Sequence, residues 1–194
     1  MTIQGKPCRT LWETPDGDAV EVIDQRRLPH VVATRLLRDV ATAAEAIRDM
    51  TVRGAPLIGA TAGYGMWLAV RGEDEGRVDA AAAAARALLD ATRPTAVNLH
   101  WATAFVQRRI AAAPAGSKRD AALAAARSIV EQELERSRRI GEVGREIVAE
   151  IAARKGGAPV NVLTHCNAGW LCAVDYGTAT APIYAAQAAG IALH

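Results

Sequence analysis

The chain has 194 residues and a mass of 20.5 kDa, long enough to build a core of its own and to bury roughly 70% of its extended surface. Lys and Arg number 23 against 21 Asp and Glu, a formal charge of +2, which argues against a polyanion-coating role because the field that gathers nucleic acid or anionic membrane is missing. The 51% hydrophobic content is mostly small: 43 residues are alanine, and aromatics make up only 4%.

No membrane association is expected, since the strongly apolar stretch 57–70 carries glycines and falls short of the roughly 20 residues that span a bilayer. The N-terminal MTIQGKPCRT shows no basic region, apolar run and small-residue cleavage site, so no secretory signal is read there. Cys8, Cys166 and Cys172 form an odd set without C-x-x-C spacing, which fits reduced thiols in a cytoplasmic protein.

In chain order, the runs Ala19 to Asp24 and Val31 to Leu36, separated by RRLPH, read as a small antiparallel sheet. From Asp39 the period changes to helical, with Ala43, Ile47 and Met50 on one face and Asp39 or Thr42 available as the cap. Gly54 and Pro56 mark a turn into a second helix, whose glycines at 59, 63 and 65 imply close packing or close approach of a ligand. Further helices are expected over Val78 to Asp90, from near Asn98, and from about Ser117 to Lys155, the last with room for a break near Gly141 and Gly144. The run PVNVLTHC then reads as a buried parallel strand, Pro159 to Cys166, leading through Asn167, Ala168 and Gly169 into a helix that ends near Ala189. A strand of that kind needs a parallel neighbour, and only Ile191 to His194 remain. The expected architecture is therefore α+β followed by α/β. Residues 1–157 form a mainly helical domain with a small antiparallel sheet, and residues 158–194 open a Rossmann-like domain that is incomplete in this chain. The alternative is that strand 159–166 joins the N-terminal sheet.

Chemistry points to three places. Cys166 stands at the carboxyl end of the expected strand, where α/β sheets bind ligands and where a helix N-terminus favours a thiolate. Its neighbour His165 alternates to the other strand face, which disfavours a direct Cys–His dyad. Arg53, before Gly54-Ala55-Pro56, and Arg93, before Pro94-Thr95, each sit in a rigid turn, a combination suited to clamping a phosphate. No Walker A loop or G-x-G-x-x-G fingerprint occurs, and His30, His100, His165 and His194 lack metal-ligand spacing, so neither nucleotide cofactor nor metal is expected.

The blocks DMTVRGAPLIGATAGYGM (49–66), TRPTAVNLHWA (92–102) and LTHCNAGWLCAVDYGTA (163–179), in this order, resemble the methylthioribose-1-phosphate isomerase family along essentially the whole chain. The resemblance implies conversion of 5-methylthioribose 1-phosphate to 5-methylthioribulose 1-phosphate in methionine salvage, with a phosphorylated sugar as partner and no cofactor or metal. It implies a helical N-terminal domain, a Rossmann-like second domain and a homodimer. Carried over, Arg53, Gly54, Ala55 and Arg93 bind substrate and Cys166 is the active-site cysteine. The family's catalytic aspartate, in I-x-D-N, and a further glutamine and asparagine-lysine pair have no counterpart in these 194 residues. Two alternatives share the superfamily: a ribose-1,5-bisphosphate isomerase, and a non-catalytic, sugar-phosphate-binding or nucleotide-binding regulatory subunit of an initiation exchange factor. The intact THCNAG block favours an enzyme.

Overall fold

The computed structural model describes residues 1–3 and 5–194. At the N-terminus β1 (Thr2–Ile3) pairs antiparallel with β2 (Lys6–Pro7). Next comes an antiparallel sheet in the order β3 (Leu11–Glu13), β4 (Val20–Ile23), β5 (Thr34–Leu37). The first of these was not expected: three residues are too few to display an alternating pattern. Val31 and Val32, expected to open the last strand, are instead exposed. The 3₁₀ turn Gln25–Arg27 and a further turn over residues 28–30 come first, residues 31–33 take no regular structure, and pairing begins only where Asp24 N–H reaches the Ala33 carbonyl and Ile23 faces Thr34. Leu11, Val20, Val22 and Leu37 form the inner face; on the outer face Glu21 accepts from Trp12 Nε1 at 3.0 Å.

Helix α1 (Val40–Arg48) starts on a capping box: Asp39 Oδ1 accepts Thr42 N–H at 2.7 Å while Thr42 Oγ1 accepts Asp39 N–H at 3.2 Å. Helix α2 (Ala55–Val70) is apolar all round, which a helix tolerates only when enclosed. It runs through the centre of the molecule, in contact with α1, α3 (Val78–Asp90), α4 (Val97–Ala112) and α5 (Lys118–Arg154). Close neighbours account for its small residues: a Cβ on Gly63 would stand 2.7 Å from Ile129 Cδ1.

Helix α5 is continuous through Gly141 and Gly144. Its backbone ladder needs no side chains, and the two glycines lie under the last helix, α6 (Ala181–Ala188), where a Cβ on Gly144 would fall 2.4 Å from Pro182 Cγ. They are there to let α6 approach.

The C-terminal segment departs most from expectation. The buried strand from Pro159 to Cys166 is not formed: Val160 alone is buried, in an isolated parallel bridge with Leu193, and residues 161–166 are exposed, Leu163 to 98%. A buried parallel strand needs a hydrogen-bonded neighbour on each side and a layer on each face. Here residues 192–194 supply one neighbour, through Val160 N–H to Ala192 O at 3.0 Å and Val162 N–H to His194 O at 2.7 Å. The helix expected directly after Gly169 begins only at Ala181. Between them lie a 3₁₀ turn, Trp170–Cys172, and a loop in which Tyr176 and Gly177 adopt φ of 67° and 91°, outside the helical range. That loop is drawn inward by Thr10, whose N–H and hydroxyl donate to Val174 O at 3.0 Å and Ala173 O at 2.5 Å. Val174 is fully buried in the same cluster as the residues of α1 to α5.

Candidate active site

Three separate segments meet at one cavity of about 550 Å³, within the usual range for small-ligand sites. Arg53, Gly54 and Ala55 line it from the start of α2, Arg93 from the turn before α4, and Cys166 from the loop after Val160. All five residues singled out in the sequence are thus brought together. A larger hollow of about 690 Å³ lies along α5 between Ser128 and Ile140, but a single helix forms it and no separate segments converge there.

The α2 wall is rigid. Gly54 has φ 98° and ψ 134°, a conformation closed to other residues, and a Cβ there would lie 2.4 Å from Cys172 Cβ and 2.5 Å from its Cα. Glycine is therefore the only residue that lets the Arg53 turn seat against the Leu171–Cys172 turn. Behind it, Gln25 is 3% exposed and donates through Nε2 to the Leu171 carbonyl at 2.6 Å. That bond fixes which way its amide points, so Oε1 faces Arg53 Nε at 3.4 Å. The sequence carries no signal for this role; Gln25 is a lone amide 28 residues before Arg53.

The turn ahead of Arg53 is clamped by Asp49. Its carboxylate accepts from Thr51 N–H (2.9 Å), Thr51 Oγ1 (2.8 Å), Arg26 Nη1 (2.6 Å) and Arg35 Nη1 (2.9 Å). Burial opposes the charge, yet these donors hold the Asp49 carboxyl below the usual carboxylate range. The clamp sustains a left-handed Met50, φ 64°, which lines the cavity.

Arg93 is half-buried in a turn closed by Ala96 N–H donating to its carbonyl at 2.9 Å. His100 braces this turn from α4: its Nε2 contacts Pro94 O at 2.9 Å and its Nδ1 contacts Asp90 Oδ1 at 3.2 Å. The Pro94 carbonyl and then Asp90 raise the imidazole pKa above its ordinary value.

Cys166 is exposed, in a left-handed conformation of φ 73°. The helix start expected immediately after it lies fifteen residues on, at Ala181, so the helix N-terminus that reaches the cavity is that of α2, at Gly54 to Pro56. The cysteine loop is held instead by the Ala168 carbonyl, which accepts from Thr178 N–H at 2.9 Å, Thr178 Oγ1 at 3.3 Å and Thr180 Oγ1 at 3.0 Å. Cys172 sits in the 3₁₀ turn at the cavity wall, and burial pushes its thiol pKa up. Cys166 is the exposed sulfur at the cavity, Cys172 the buried one.

Two cationic side chains, a helix start and an exposed thiol around one hollow suit a small phosphorylated ligand. Comparison with known proteins agrees in kind. Methylthioribose-1-phosphate isomerase of Methylocella silvestris is 51% identical over 195 residues, covering 100% of this chain and 52% of that protein. The enzyme of the same name from Methylorubrum extorquens is 50% identical, with 100% and 52% covered. The chain spans about half the length of the curated relatives it matches. Among solved structures, 5-methylthioribose 1-phosphate isomerase from Pyrococcus horikoshii superposes with a TM-score of 0.83 at 32% identity, over 96% of this chain and 51% of that one. Translation initiation factor eIF-2B subunit delta from A. fulgidus gives 0.80 at 31%, over 95% and 52%. Residues 51–194, which carry every residue of the cavity named so far except Met50, match one family along their whole length, and the chain belongs to the Initiation factor 2 subunit family.

Proposed function

We propose that this chain supplies one half of the active site of an aldose–ketose isomerase acting on 5-methylthioribose 1-phosphate, giving 5-methylthioribulose 1-phosphate in methionine salvage. The observation that carries this reading is the convergence of Arg53, Gly54, Ala55, Arg93 and Cys166 on one cavity from segments far apart in sequence. The names of the relatives at about half identity support the substrate.

In this reading Arg53, Arg93 and the start of α2 bind the phosphate. The sugar's anomeric carbon is esterified, so its ring cannot open simply to a free aldehyde, and hydrogen must move between C1 and C2 at a site that controls charge. Cys166 acts there, as base or as stabiliser of the developing charge. Arg53 and Arg93 act in binding, each lost charged hydrogen bond weakening it by about 1.5 to 3 kcal/mol. The reading extends to residues 1–157 as an N-terminal domain and 158–194 as the opening of a Rossmann-like α/β domain, in a cytoplasmic homodimer.

The test is ketose formation from 5-methylthioribose 1-phosphate by the full-length protein and by Cys166→Ser. Wild-type turnover with a severely impaired variant is expected; near wild-type turnover by Cys166→Ser rules out the cysteine's role. The eIF-2B-like regulatory alternative, favoured by the subunit delta likeness, predicts binding of the sugar phosphate without turnover.

A further inference from the structure

Asn167 follows Cys166 and lines the same cavity, and its Nδ2 is buried without a hydrogen-bond partner among the described residues. Among the described residues, the only other buried side-chain N or O atom in that condition is Glu75 Oε2, away from the cavity lining. An amide donor shut from water and left unpaired is destabilising, and folded proteins retain few of them. The backbone on either side leaves Asn167 little freedom to relieve this by moving away. Cys166 before it is left-handed, Ala168 N–H closes a tight turn onto the Cys166 carbonyl at 3.1 Å, and the Ala168 carbonyl is held by Thr178 and Thr180.

The free torsion is the terminal one. Rotation about the Cβ–Cγ bond of asparagine is soft, so the amide can turn Nδ2 from its closed position towards the cavity when an acceptor arrives. We infer that Asn167 is a substrate-contacting residue whose Nδ2 donates to the sugar oxygen that takes on negative charge as hydrogen moves between C1 and C2 beside Cys166. The inference rests on the isomerase reading above. Whichever way the hydrogen travels, an oxygen on one of those two carbons gains charge, and a neutral donor next to the thiol stabilises it without introducing a competing cation. The role gives a reason for keeping a polar group where the free protein does not satisfy it.

The experiment uses the full-length protein with Asn167→Ala and Asn167→Asp, assayed for kcat and KM on 5-methylthioribose 1-phosphate alongside thermal melts. Asn167→Ala should lower kcat about 10- to 100-fold, with KM changed less than about threefold, the pattern of a contact made mainly in the transition state. Its melting temperature should equal or exceed that of the wild type, because an unsatisfied donor has been removed; a merely structural asparagine would lower it. Asn167→Asp, nearly the same shape but an acceptor carrying charge, should be worse than alanine. An active wild type with Asn167→Ala at full kcat, or with aspartate as good as alanine, overturns the assignment of Asn167 alone. A wild type with no turnover overturns the isomerase reading and this role with it.

Discussion

Gln25 donates its side-chain N–H to the carbonyl of Leu171, 146 residues away, at 2.6 Å, and so joins the sheet side of the molecule to the turn that walls the candidate site. The same amide presents its oxygen to Arg53. Gln25→Met keeps the stem and removes both contacts. KM for the sugar phosphate should rise about 3- to 10-fold with kcat little changed, and stability should fall by about 1 to 2 kcal/mol as the Leu171 carbonyl loses its donor. Gln25→Glu keeps an acceptor for Arg53 but no donor for Leu171, so it should lose similar stability while KM stays nearer the wild type. Steady-state kinetics and urea melts on the full-length protein separate the two contacts; an unchanged KM in Gln25→Met removes the positioning role.

Gly54→Ala should be among the most damaging single substitutions. The new methyl group would overlap Cys172 Cβ, and the φ of 98° is strained for any residue with a side chain. A loss of at least about 2 kcal/mol is expected from strain plus overpacking. Gly76→Ala, at a glycine with nothing within 4 Å, is the control and should lose far less. Equal melting of the two variants would show that the Arg53 turn can yield.

At the other end, Gly144→Ala forces a methyl against Pro182 Cγ at 2.4 Å. α5 itself should gain helix propensity, while its contact with α6 should loosen at a cost of about 1 to 3 kcal/mol. Hydrogen exchange should therefore quicken in residues 181–194 and stay slow in α2. Uniformly unchanged exchange would contradict the close crossing.

His100 should make stability depend on pH. Contact with both the Pro94 carbonyl and Asp90 requires a donor on each ring nitrogen, which only the imidazolium provides. Its folded pKa is raised above 6.5, so its contribution is fully present below that value and is lost as pH rises through the higher folded pKa. Between about pH 6 and 8, the melting temperature of the wild type should fall relative to His100→Gln. Parallel curves for the two proteins would refute the brace on the Arg93 turn.

Helix boundaries were largely legible in the sequence because the helices carry strong local signals. The capping pair Asp39 and Thr42, the Gly54-Pro56 start and the alanine-rich face of α3 each specify their element from within a few residues. So were the residues that share the cavity, since Arg53, Arg93 and Cys166 each sit in a distinctive block. The strand from Pro159 to Cys166 was misread because an apolar β-branched run states a preference, whereas a strand exists only where neighbours pair with it. Gln25, His100 and Asn167 were invisible for a related reason. Their roles consist of partners, or of a missing partner, set by residues distant in the chain or by burial that the local sequence does not encode.

The three hydrogen bonds on the Ala168 carbonyl have a mechanical consequence. The arginines stand in turns that lead into core helices, while the thiol hangs on a tether fastened at the Ala168 carbonyl and exposed over residues 161–166, with Val162 N–H tied to His194 O. Mild denaturant will slacken the tether before it melts the wall, so catalysis should fade while the helical signal is still intact.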